Sequence, residues 1–173
     1  GEVFGIQLRG DWIHANCVNY DKEGYFYMSF NWLNEVWKID PKSGKVIYRL
    51  GGKGGNISIP DEGYTHGLHS LKLLDNNKIL LFENGIYTHV SRALIFTVDE
   101  VNKTATLDLN VALPYDYSSP YMSSVEWVQG DKLMFGSTFG KAVVFTDMQG
   151  NILRVIQMSH QSFRADYIPV IHY

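Results

Sequence analysis

Hydrophobic positions along this chain recur with a period of two. Gly24-Tyr25-Phe26-Tyr27-Met28-Ser29, Lys78-Ile79-Leu80-Leu81-Phe82-Glu83, Leu94-Ile95-Phe96-Thr97-Val98 and Lys141-Ala142-Val143-Val144-Phe145 are short runs of β-branched and aromatic residues. Turn-forming residues bound them at 21–24, 75–77, 130–131 and 149–151, which is the signature of strands joined by tight connections. No stretch carries a convincing amphipathic helix of three turns, so the chain reads as all-β. The strands also repeat. His14–Tyr20, Tyr25–Phe30, Glu35–Ile39 and Lys45–Leu50 make one four-strand meander. Leu68–Leu74, Lys78–Glu83, Arg92–Val98 and Thr104–Val111 make a second. Met122–Val128, Lys132–Gly136, Ala142–Thr146 and Asn151–Gln157 make a third. Repeats of roughly 40–55 residues are those of β-propeller blades.

The expected architecture is a single partial β-propeller domain over residues 1–173. Its blades span about 11–52, 65–114 and 121–158, with stray strands at 3–8 and 163–168. Three blades do not close a ring, and an open half-ring leaves long unpaired edges that natural proteins avoid. The chain is therefore expected to be part of a longer polypeptide, or to pair with a second copy. A self-contained β-sandwich explains the number of strands but not their repetition.

Composition narrows the function. The 173 residues are 45% hydrophobic and 14% aromatic, with 15 basic and 18 acidic side chains giving a net charge of −3. That balance argues against a nucleic-acid partner or a polybasic membrane anchor. No apolar run approaches the length of a membrane span. A single cysteine, Cys17, excludes an internal disulfide framework and a multi-cysteine zinc site. Gly1 in place of methionine is consistent with a removed leader.

Histidines carry the candidate chemistry. His14, His66 and His69 stand near the starts of first strands, which line the channel of a propeller. Alternation puts His14 and Asn16 on one face, whereas His66 and His69 cannot both face the channel from regular strand. A metal site is disfavoured, because His66-x-x-His69 gives two ligands and no carboxylate completes a set; no metal and no cofactor are expected. A Gly-x-Ser-x-Gly elbow is missing, and Gly51-Gly52-Lys53-Gly54-Gly55 lacks the ending of a phosphate-binding loop; it reads as a flexible connection between blades. Trp12, Trp32, Trp37 and Trp127 read as packing between blades, and Asn84-Gly85 as a turn. Loop tyrosines Tyr64, Tyr87, Tyr115, Tyr117 and Tyr121 are candidates for lining a phenol pocket.

Asp11-Trp12-Ile13-His14-Ala15-Asn16-Cys17-Val18, followed by Tyr48-Arg49-Leu50-Gly51-Gly52-Lys53, resembles the bacterial and fungal arylsulfotransferase family. Gly67-Leu68-His69-Ser70, Leu81-Phe82-Glu83-Asn84-Gly85 and Ser91-Arg92-Ala93-Leu94 continue the likeness in the family's order. The resemblance implies the C-terminal half of a six-bladed propeller. It also implies sulfuryl transfer from an aryl sulfate to a phenol without a nucleotide donor, through a sulfohistidine. By motif position His69 is the nucleophile, and His14 and Asn16 bind sulfuryl oxygens, His14 also assisting proton transfer. Ser123 or Ser124 is placed to add a hydroxyl donor. Where the family reads Ser-x-Arg-His or Ser-Arg-His, this chain has Ser29-Phe30-Asn31-Trp32, and Phe30 is read at the arginine position. Arg92 and Arg164 are the substrate-binding candidates left to compensate, although neither is placed in the channel by sequence and both also suit structural ion pairs. Family members are often exported, so a periplasmic or extracellular location is expected. The alternative is a non-catalytic propeller that binds a ligand or protein partner.

Overall fold

The computed structural model describes residues 13–168 and, by backbone alone, Glu2–Val3 and Ile6–Gln7. The two short terminal strands, β1 (Glu2–Val3) and β2 (Ile6–Gln7), pair antiparallel with each other. This differs from the single strand expected over 3–8; residues 4, 5 and 8 of that stretch lie outside the described residues, as do Trp12 and His172. Three four-stranded antiparallel sheets follow, each formed by consecutive strands in chain order. The first contains β3 (Ala15–Tyr20), β4 (Phe26–Phe30), β5 (Glu35–Ile39) and β6 (Val46–Gly51). The second contains β7 (Leu68–Leu74), β8 (Lys78–Glu83), β9 (Arg92–Asp99) and β10 (Thr104–Ala112). The third contains β11 (Ser124–Val128), β12 (Lys132–Ser137), β13 (Ala142–Asp147) and β14 (Ile152–Gln157). The chain is thus all-β and built from three propeller-type blades, not a sandwich.

The burial pattern explains why β8 is a continuous apolar run and not an alternating one. Ile79 and Leu81 face the first sheet, in a core with Val36, Tyr48 and Leu50. Leu80 and Phe82 face the third sheet, in a core with Val125, Leu133, Phe135 and Val144. A strand covered on both faces has no solvent side on which to place polar residues. The outer blades differ: Val18 and Tyr20 on the first and Trp127 and Ile156 on the third remain exposed. First strands stack in order, β3 against β7 and β7 against β11, so their N-terminal ends gather at one place.

Two sequence expectations fail. Residues 163–168 form no strand; the segment binds along the start of β11 through Ser123 N–H to Phe163 O (2.9 Å) and a two-way bond between Ser124 and Ala165. The glycine loop at 51–55 is anchored. Gly54 N–H donates to the buried Glu35 carboxylate (2.9 Å), which also accepts from Trp37 Nε1 (2.6 Å).

Candidate functional site

The blades repeat one closure. The residue after the second strand donates its backbone N–H to the residue before the first: Asn31 to His14 O (3.0 Å), Asn84 to Gly67 O (2.8 Å), and Thr138 to the Ser123 hydroxyl (3.0 Å). The side chains of these three residues then reach forward. Asn31 Nδ2 bonds Leu68 O (2.9 Å), Asn84 Nδ2 bonds Ser119 O (2.7 Å) and Met122 O (2.9 Å), and Thr138 Oγ1 bonds Ser162 O (2.6 Å). Buried backbone carbonyls at the blade junctions are satisfied in this way.

Asn16 and His69 occupy equivalent irregularities. The β3–β4 register shifts between Ala15 and Cys17, and the β7–β8 register between Leu68 and Ser70. Each is the extra residue of a bulge, a device that re-aims a side chain out of the strand's alternation. This resolves the parity conflict between His66 and His69: His69 leaves the ladder, while His66 packs edge-on to Tyr87 with its backbone N–H on Glu83. His14 sits just before β3 in the left-handed region (φ 47°).

A cavity of about 500 Å³ is lined by His14, Asn16, Asn31, Trp32, His69, Asn84, Ile86, Pro120, Tyr121, Met122 and Phe163, among others. His69 is 5% exposed. Its Nδ1 lies 2.8 Å from Ser123 O. A carbonyl only accepts, so Nδ1 carries the proton and Nε2 keeps its lone pair. Met122 and Ser123 are both left-handed (φ 56° and 75°), an uncommon conformation for such residues. Burial, the nearby Arg164 and His14 push the His69 pKa down to about 4, against the raising effect of the Ser123 bond. Phe163 meets the imidazole edge-on at 5.0 Å and carries the Arg164 guanidinium 5.2 Å above its ring.

His69, His14 and Asn16 therefore share one cavity, with Arg164 close enough to act electrostatically on His69. Asn16 has little free hydrogen-bonding capacity: Nδ2 bonds Leu68 O (2.6 Å) and Oδ1 accepts from Ser29 (2.7 Å). The Ser123 hydroxyl is spent on Thr138 and the Ser124 hydroxyl on Ala165. The contact of Ser123 with His69 is made by its carbonyl instead. Arg92 is not brought to the cavity: Nε meets the fully buried Glu83 carboxylate at 2.5 Å, and its other nitrogens reach Glu62 O and Tyr64 O. Phe30 does not face the cavity either; it packs on Trp37 with ring centroids 4.5 Å apart, while the cavity side at this turn is occupied by Asn31 and Trp32. Of the loop tyrosines only Tyr121 lines the His69 cavity; Tyr115 lines an adjoining one of about 130 Å³ that meets it at Asn84.

Sequence reasoning assigned no site role to Asn84 or Trp32. Among the described residues, Asn84 Oδ1 and Trp32 Nε1 are buried without a hydrogen-bond partner. The signal for Asn84 was positional, since it follows β8 as Asn31 follows β4. Gly85 forces the turn after it, with φ 65° and a position where a Cβ would stand 2.0 Å from Val90 O. No three His, Cys, Asp or Glu side chains converge as a metal site would require, among the described residues. None of their helices is long and apolar enough to cross a membrane.

Solved structures share the fold. The chain is similar to a Bacteroides caccae protein of unknown function (11% identity, TM-score 0.61) over 90% of this chain and 50% of that one. It is similar to virginiamycin B lyase from Staphylococcus aureus (14%, 0.55) over 90% and 45%. It is also similar to the Cps50 (Swd1) β-propeller domain of Myceliophteria thermophila (10%, 0.55) over 88% and 43%. The chain thus spans about half the length of these structures. No curated protein sequence matches it. Residues 1–166 match the arylsulfotransferase (ASST) family, and with His14, Asn16 and His69 gathered at the convergence of three blades, the chain belongs to that family.

Proposed function

We propose that this chain carries the nucleophilic half of a nucleotide-independent aryl sulfate sulfotransferase, acting through a sulfohistidine at His69. Family membership supports sulfuryl transfer from an aryl sulfate. The observation that carries the finer reading is the Nδ1–H bond from His69 to Ser123 O, in a buried ring whose pKa is held low. It leaves Nε2 neutral, unprotonated and turned from the backbone partner.

In the first half-reaction the Nε2 lone pair attacks sulfur in line. The S–O bond to the aryl group breaks, its electron pair leaves as phenoxide, and His14 supplies the proton that neutralises it. The ring becomes an N-sulfoimidazolium, and the Ser123 carbonyl faces Nδ1–H as that positive charge develops. In the second half-reaction an acceptor phenol gives its proton to His14, its oxygen attacks sulfur, and the N–S electron pair returns to Nε2. Arg164 supports both steps electrostatically, because the cationic field that disfavours His69 protonation also attracts the sulfuryl anion. The exposed apolar faces of the first and third blades are covered in the working enzyme by further blades or a second copy. The location of the reaction is periplasmic or extracellular, which fractionation of the producing cell would test.

Turnover of a chromogenic aryl sulfate by the whole protein, dependent on an added phenol, tests the reading. His69→Ala is expected to abolish it. A folded protein with no turnover would favour the non-catalytic binding propeller.

A further inference from the structure

Trp32 follows Asn31 at the turn after β4, and its ring tilts against His14 with centroids 5.8 Å apart. It lines the His69 cavity. Its Nε1 is buried and meets no acceptor among the described residues. An indole nitrogen is a donor only, and buried tryptophans usually place that donor on a partner. Leaving it unsatisfied is unfavourable.

Among the described residues the other unpartnered group on this wall, Asn84 Oδ1, is buried as well and is not hydrogen-bonded to the indole. Asn16 Oδ1 is taken by Ser29, and Leu68 O already receives both Asn16 and Asn31. Phe30, read from sequence as standing in place of a charge-stabilising arginine, is turned onto Trp37. The cavity side of that turn is lined by the uncharged Trp32 ring, next to His14.

We propose that Trp32 Nε1–H is a catalytic hydrogen-bond donor to a sulfuryl oxygen of the substrate. The inference rests on the sulfuryl-transfer reading of the same cavity. An aryl sulfate brings three acceptor oxygens that gather negative charge as sulfur is transferred, and it brings no proton to compete for this donor. The phenol oxygen is matched instead by His14, which moves its proton. A neutral N–H bonded to a charged oxygen in a water-poor site is among the stronger hydrogen bonds, and it loses no alignment when the reaction begins.

The test uses the whole protein and a phenyl sulfonate, whose S–C bond cannot be transferred, with phenol as the control ligand. Trp32→Phe keeps the ring against His14 and removes the N–H. Sulfonate binding measured by calorimetry is expected to weaken about 10- to 100-fold, with phenol binding unchanged. In wild-type protein carrying 15N-labelled tryptophan, the Trp32 Nε1–H resonance is expected to move downfield as sulfonate is added, which tests the contact without a substitution. Equal sulfonate affinity in Trp32→Phe, or a static indole resonance on saturation, overturns the proposal. So does a parallel loss of sulfonate and phenol, which would mark a packing role. If the indole responds and affinity falls, yet the wild-type protein forms no sulfohistidine from an aryl sulfate, the donor stands and the transfer reading fails.

Discussion

Protonation of His69 is the perturbation on which the mechanism turns. A free histidine titrates near 6.5, and at pH 5.5 only about 9% of it is neutral. With the pKa pushed down to about 4 by burial, and by Arg164 and His14 beside it, about 97% of His69 is neutral at that pH, a roughly tenfold gain in competent nucleophile. The same shift is a stability statement. Between pH 6.5 and 4 the unfolded chain holds a proton that the folded His69 refuses, so the contribution is fully present above 6.5. It is lost as pH falls through 4, and amounts to at most about 3 kcal/mol. The assay is a two-dimensional NMR titration of ring-15N-labelled protein from pH 8 down to the point of unfolding, with His69→Gln assigning the resonances. Expected are a proton on Nδ1 and not on Nε2 throughout the neutral range, and a midpoint near 4 or loss of the fold before one is reached. A midpoint near 6.5, or a proton on Nε2, would refute both the tautomer fixed by Ser123 O and the account of the nucleophile.

Other substitutions separate scaffold from chemistry. Arg92→Met leaves the fully buried Glu83 carboxylate without its cation, and a loss of about 3–5 kcal/mol in stability is expected by denaturant unfolding; a change confined to KM would instead place Arg92 at the substrate. Phe30→Ala opens a space beside Trp37 and is expected to cost about 3–5 kcal/mol, with the kcat of the folded fraction unaltered. Arg164→Gln removes one of the influences that lower the His69 pKa; a raised His69 midpoint by NMR and slower sulfuryl uptake are expected together. Gly85→Ala places a methyl against Val90 O at a positive φ, and a destabilisation above about 1 kcal/mol is expected in thermal unfolding.

The blades were readable because alternation and turn chemistry are local. Glu35–Ile39, Leu68–Leu74 and Lys78–Glu83 have the same bounds as β5, β7 and β8, and the other blade strands differ by one or two residues at one or both ends. What local pattern does not carry is the bulge. The register shift at His69 depends on how β7 pairs with β8, and it decides which histidine leaves the ladder. The Ser123 carbonyl was missed for a related reason: sequence suggested its hydroxyl, whereas two left-handed residues, Met122 and Ser123, aim the backbone. Phe30 is buried against Trp37, and the cavity side of that turn is lined by Asn31 and Trp32. Segment 163–168 forms no ladder with β11; its bonds there are one backbone bond from Ser123 and the two-way bond with the Ser124 side chain.

The most direct measurement is intact-mass analysis of the whole protein after exposure to an aryl sulfate, quenched in alkali, followed by peptide mapping. The account predicts a gain of one SO3 unit on the peptide that contains His69. The adduct is absent in His69→Ala and discharged when a phenol is added. A folded protein that turns over the aryl sulfate without any adduct, or that carries the group on a residue other than His69, would contradict it.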